Sequence, residues 1–152
     1  STKPYFIVRK KLLSENMSPI IYKCIPGFDK DLKRLLKKFR TLEDDLELVK
    51  LATIEPYHVG VLLDGIVEKK DANAIFQIPN FCSDELKICK IKKFACRALK
   101  GRGVQSGIRV IYAYYALTNA VDFIQMYFKG ESENEDKERI KEYLSKLGSP
   151  TS

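Results

Sequence analysis

From Leu86 to Val121 the chain carries eight cations, Lys87, Lys90, Lys92, Lys93, Arg97, Lys100, Arg102 and Arg109, and no Asp or Glu. Across all 152 residues, 27 Lys and Arg face 20 Asp and Glu, for a net charge of +7. The whole excess sits in this window, because the remainder of the chain comes to −1 once those eight cations are set aside. An acid-free cationic patch is what a polyanion-binding surface requires, since Lys and Arg gain by displacing counterions from phosphates. The same residue types could also cleave RNA without a metal. That reaction uses the neighbouring 2′-OH as nucleophile and needs a base for it, an acid for the leaving oxygen, and cations for the charge gathering on phosphorus. His58 is the one histidine, so a two-histidine solution is excluded. A lysine at its ordinary pKa of about 10.4 is a poor base. Packing Lys90, Lys92 and Lys93 with Arg109 on one sheet face would lower that value by like-charge repulsion. Lys90 or Lys92 would then act as base, Arg109 would clamp the phosphate with its planar fork, and Lys129 would add charge. Tyr112 or Tyr127 could stack a base, and Lys87, Lys93, Arg97, Lys100 and Arg102 would hold the RNA backbone.

Structural explanations stand beside each of these. A basic strand face can be merely solvated, and tyrosines on strands pack in cores more often than they stack on bases. His58 can be structural. Arg109 has the stronger functional argument, because an Arg in an apolar run is costly to bury without an anionic partner.

The elements that must position these residues follow from periodicity. Ile20–Ile25 reads as a strand stopped by Pro26-Gly27. Phe28, Leu32, Leu35, Leu36 and Phe39 recur at helical spacing. A second helix opens at the box-like Thr41-Leu-Glu-Asp44, carries Leu42, Leu46 and Val49 inward, and ends at Pro56. Residues 57–81 read as a long connection with one or two short strands. Leu86–Phe94 reads as a strand whose Ile88 and Ile91 are out of phase, which predicts a bulge or a strong twist; with Ile91 in the core, Lys90 and Lys92 share the opposite face. Ile108–Ala116 is nearly all apolar and hence central, and Leu117–Ala120 turns it into Val121–Lys129. A last helix is capped by Ser132-x-x-Glu135 and ended by Gly148, its acidic start complementing the helix dipole. The order is β-α-α-β-β-β-α, an antiparallel sheet with helices on it, class α+β.

The length fits one domain, placed at 20–148, with 1–19 as an N-terminal arm or added strand and 149–152 as a tail. Apolar residues at 45% and charged residues at 31% describe a globular chain. No apolar run is long enough for a membrane span, and the opening residues lack the features of a secretory signal, so the expected address is cytoplasmic. Cys24, Cys82, Cys89 and Cys96 form no Cys-x-x-Cys pair. The expectation is reduced, structural thiols, with no metal and no cofactor.

Four stretches together carry a family likeness. They are Phe28-Asp-Lys-Asp-Leu-Lys-Arg-Leu35, Lys90-Ile-Lys92, Gly103-x-x-Ser106-Gly-Ile-Arg-Val-Ile-Tyr112 and Met126-Tyr-Phe-Lys129 before a charged helix. Over about residues 20–147 the chain resembles the RelE/HigB-like toxins of the RelE/ParE superfamily. The resemblance implies a RelE-like fold and the toxin of a prokaryotic toxin–antitoxin pair, which cuts mRNA, usually on the ribosome, and is neutralised by its cognate antitoxin. It places Lys90 and Lys92 where such toxins carry active lysines, Arg109 on the arginine that binds the scissile phosphate, and Lys129 near a later cation. The acidic Glu131–Asp136 stretch and the longer 57–81 connection depart from the family pattern. Two other readings stay open: a ParE-like toxin that inhibits a protein such as gyrase, and a non-catalytic RNA-binding module.

Overall fold

The computed structural model describes residues 20–69, 73–99, 101–103 and 105–148. The expected N-terminal arm, the tail and Lys100 lie outside them. Strand β1 (Ile21–Cys24) leads into helix α1 (Pro26–Leu36) and then helix α2 (Leu42–Val49). A π-helical turn (Lys50–Ile54) continues α2 into the short α3 (Glu55–His58). Three short strands follow, β2 (Val61–Leu63), β3 (Ile66–Glu68) and β4 (Ile75–Gln77). The long strands are β5 (Leu86–Ile91), β6 (Ile108–Tyr115) and β7 (Ala120–Phe128), and α4 (Lys137–Gly148) closes the fold.

The class is α+β, but the sheet is mixed rather than antiparallel throughout. Its order is β1-β7-β6-β5-β4, with β1 parallel to β7 and the other neighbours antiparallel; β2 and β3 pair separately as a hairpin. A strand–helix–helix excursion returns β1 alongside the last strand of the sheet, so its direction is set by topology that local pattern does not carry.

Both faces of the sheet are covered. Phe28, Leu35, Phe39, Leu42 and Leu46 from the helical hairpin pack on Cys89, Ile91, Val110, Tyr112, Phe123 and Met126. On the opposite face, Ile140 and Tyr143 of α4 pack with Ile88, Ile111, Ala113, Ile124 and Tyr127. Double coverage explains the near-continuous apolar run of β6. It also corrects the reading of β5. Ile88 and Ile91 are both buried because each belongs to a different core, and the pairing of β5 with β6 runs without a register shift. The irregularity lies between β6 and β7, where the register shifts between Ile111 and Tyr112.

Pro56 does not end the second helix. The Glu55 N–H bonds five residues back to Lys50 O, and Pro56 follows this widened turn in the first turn of α3. There its missing N–H has no bond to lose. Thr41 does not cap α2 through its side chain; its hydroxyl donates to Asp45 Oδ2 at 2.6 Å and accepts from Ala98 N at 3.0 Å. Asp136, not Ser132, caps α4, with Oδ1 accepting the Arg139 N–H at 3.1 Å. No helix among the described residues is long and apolar enough to cross a membrane.

Candidate nucleic-acid interface

Alternation along β5 and β6 sorts the cationic window between the two faces. On β5, Lys90 lies on the α4 side, opposite Ile111 and beside Phe76 of β4. Arg109 on β6 has the parity of Ile111, so it shares that face, and its cross-strand partner is Tyr127. Lys92 stands just past the end of β5, with its ammonium 4.4 Å from the centroid of the Phe76 ring. Lys129 follows β7, is exposed, and donates its backbone N–H to Gly107 O at 2.8 Å. Ile140 and Tyr143 of α4 pack on this face with Ile88, Ile111, Ala113, Ile124 and Tyr127, whereas Arg109 at the start of β6 stays half-buried and Lys129 exposed, so this end of the face is the open one.

The Ser106-Gly107 pair sets the geometry of Arg109. Ser106 is fully buried, and its hydroxyl donates to Phe94 O while accepting the Ile108 N–H at 3.1 Å. This ties the basic loop to the start of β6. Gly107 has φ +87°, and a Cβ there would stand 3.1 Å from the Phe128 ring, so a side chain is strained at this turn. Arg109 emerges half-buried. Its guanidinium donates to Ile108 O at 3.2 Å, and it makes no ion pair among the described residues. A planar cation held in this way offers its remaining donors outward, in the fork arrangement that suits a phosphate.

Lys90 differs from the expectation of a lysine depressed by its neighbours. Its ammonium bonds Glu135 Oε2 at 3.0 Å, and the two side chains are 13% and 10% exposed. Burial pulls its pKa down, but the Glu135 carboxylate and the nearby Tyr127 hydroxyl outweigh that, and the net shift is upward. Lys90 is therefore a fixed cation rather than a base at neutral pH. Burial raises the Glu135 pKa, but a backbone hydrogen bond and Lys90 outweigh it, so the carboxyl ends lowered. Tyr127 is 2% exposed, lies with its ring centroid 5.9 Å from Lys90 Nζ, and keeps a buried hydroxyl without a hydrogen-bond partner.

The other window residues are placed elsewhere. Lys87 faces the helical-hairpin side and lines a cleft of about 570 Å³ with Tyr57, His58, Lys69, Gln77 and Tyr114. Arg97 bonds the buried Asp45 at 3.0 Å and reaches Asp44 at 3.6 Å, pinning the loop to α2. Lys93, which follows Lys92, and Arg102, in the loop before β6, are exposed. Tyr112 is fully buried, and its hydroxyl shares a 2.8 Å hydrogen bond with His58 Nε2, so no base can stack on it. His58 itself is buried, stacked on Tyr114 at 3.8 Å. Burial, with Lys69 and Lys87 adding to it, lowers its pKa to about 3. Neutral and enclosed, it serves the core. The described cysteines are unbonded, and burial pushes the Cys89 thiol up to about 12. Among the described residues no group of three His, Cys, Asp or Glu is placed to hold a metal.

Phe76 and Glu135 have no role in the sequence reading of this face. Glu135 reads there as helix-dipole charge. Nothing local marks it as the partner of a lysine 45 positions away.

No protein-family model matches the chain, and no curated protein matches it. Among solved structures, a chain of the archaeal RelE–RelB complex from Pyrococcus horikoshii OT3 is similar, with 11% identity and a TM-score of 0.44. The match covers 76% of this chain and all of that one.

Proposed function

We propose that this chain is a RelE-type toxin: an endoribonuclease that binds mRNA across the open end of its sheet and is held in check by an antitoxin protein. The observation that supports it most is Arg109, a guanidinium in an apolar strand with no ion-pair partner among the described residues, on the same sheet end as Lys92 and Lys129. In this reading Arg109 grips the scissile phosphate, while Lys90 and Lys129 stabilise the charge that develops on it. Lys92, an exposed amine at the end of β5, takes the 2′-OH proton as that oxygen bonds phosphorus, and the expelled 5′-oxygen takes a proton from solvent water.

Induced expression of wild type and Arg109→Ala, with growth scored and mRNA ends mapped by primer extension, tests the proposal. Arrest with new codon-positioned cuts, both lost in the variant, is the expected result. Arrest without cuts would replace it with a ParE-like action on a protein. The Lys90–Glu135 pair favours a second reading, a non-catalytic RNA-binding module, because it removes one of the two lysines from service as a base. Binding of RNA with neither arrest nor cuts would establish that module.

A further inference from the structure

Glu135 belongs to the acidic segment between β7 and α4, and that segment is fastened to the RNA-facing side of the sheet. Its Asp136 N–H donates to Gln125 Oε1 at 2.8 Å, and Gln125 stands on β7 opposite Ile111, the cross-strand partner of Lys90. From that anchor Glu135 reaches Lys90 and closes a nearly buried ion pair. Beside the pair, the Tyr127 hydroxyl is buried and near enough to the Lys90 ammonium to help raise its pKa, yet it makes no hydrogen bond of good geometry among the described residues. An ammonium and an unused hydroxyl side by side complement an oxyanion with more than one oxygen to bind. A carboxylate bound at a single oxygen satisfies the ammonium and leaves the hydroxyl unused; a phosphodiester has two non-bridging oxygens, one for each group. As a stability device the contact is weak, since a buried ion pair is often no better than apolar packing. A contact that is costly to bury and incompletely satisfied suits an occupant that can be exchanged.

We infer that Lys90 and Tyr127 form a phosphodiester niche that Glu135 fills from within the same chain, so that RNA engages this part of the sheet only by displacing its own acidic segment. The inference rests on the RNA-binding reading above and adds its regulation. Glu135 is a competitor. Its removal strengthens RNA binding, where loss of an ordinary structural carboxylate would leave binding unchanged or weaken it. In wild type, RNA that binds with Glu135 still in place makes no phosphate contact with Lys90 and gains no counterion release from it. In Glu135→Gln it becomes a new phosphate contact, which steepens the salt dependence by about 0.7 in the log–log slope for single-stranded nucleic acid.

The test uses the full chain and a labelled, uncleavable 2′-O-methyl single-stranded RNA, titrated by fluorescence anisotropy over a range of salt. Glu135→Gln should bind about tenfold more tightly than wild type, and Glu135→Asp, which keeps the charge on a shorter arm, should fall between them. Adding Lys90→Gln to Glu135→Gln should cancel the gain. Glu133→Gln, which removes an equal charge from an exposed position of the same segment, should change affinity less than about twofold. Unchanged or weaker binding in both Glu135 variants, with wild type still binding RNA through Arg109, would overturn the niche and leave the RNA surface standing. An equal gain in Glu133→Gln would reduce it to general charge. Absence of RNA binding in wild type and variants alike would defeat the functional reading and the niche together.

Discussion

At the level of single residues, two arginines and a histidine separate binding from scaffolding. Arg109 and Arg97 lie in the same cationic window, yet only Arg97 has an internal anion, the buried Asp45. Arg97→Ala leaves that carboxylate short of a partner and should cost about 1–2 kcal/mol, the lower end reflecting the exposure of the guanidinium. Arg109→Ala should leave the urea midpoint within error of wild type while weakening RNA binding about tenfold. Reversal of those two outcomes would exchange the roles assigned here. His58 makes a prediction in pH. Its folded pKa lies at about 3 against an ordinary 6.5, because burial opposes the charged ring, with Lys69 and Lys87 adding to that. The stability gained by keeping it neutral is complete above 6.5 and drains away as pH falls toward 3, since the unfolded chain takes up the proton first. Urea titrations from about pH 7 to about pH 4 should show wild type losing up to a few kcal/mol more than His58→Gln, which cannot titrate. Parallel pH profiles would mean the imidazole is not held neutral.

Among the elements, β7 carries a constraint that pairing alone does not meet. Strand β1 accompanies it only from Ala120 to Phe123, so the outer edge from Ile124 onward has no strand partner among the described residues. Side chains from both helical layers complete it. Asp31 of α1 accepts the Met126 N–H at 3.1 Å, Arg139 of α4 donates to Ile124 O at 3.1 Å, and the two bond each other at 2.6 Å. The clamp joins the layers around the strand edge. Asp31→Ala should cost about 2 kcal/mol, because it orphans the Met126 N–H and leaves a half-buried guanidinium without its counter-charge. Hydrogen exchange at the Met126 amide should accelerate in parallel; continued protection there would rule the clamp out. None of this was legible in the sequence, where Asp31 reads as one more charge on the polar face of a helix. What was legible follows short-range rules. The stripe Phe28–Leu35–Phe39 marks α1 and its buried face, and the apolar run of β6 marks a central strand. Pro56 misleads because a π-helical turn absorbs it, and Ile88 and Ile91 mislead because alternation signals one covered face while this sheet has two. Of the interface, the parity of Lys90 and Arg109 could be read from the strands, whereas the Glu135 contact is tertiary.

On the scale of the whole molecule, the net charge of +7 overstates the surface available to a polyanion. The cationic window is one segment in sequence and several places in space. Lys87 opens onto the cleft beside His58, Arg97 is engaged with α2, and Lys90 is closed by Glu135, which leaves Lys92, Arg109 and Lys129 at the open end of the sheet, with Lys93 and Arg102 exposed between β5 and β6. Long-range attraction draws on every charge, but counterion release counts only the cations that meet phosphates. These two contributions make different demands on the same variants. If RNA lies across the open end, Lys92→Gln, Arg109→Gln and Lys129→Gln should each flatten the slope of log affinity against log salt by about 0.7. Lys87→Gln removes the same formal charge from the opposite face and should leave the slope as it is, with a small loss of affinity that disappears at high salt. Equal effects from all four would mean that the chain attracts RNA as a diffuse positive body. Unequal effects in the order given would locate the interface on the face shared by Arg109 and Tyr127, which the fold leaves open at Arg109 and Lys129 and closes with its own carboxylate beside them, at Lys90.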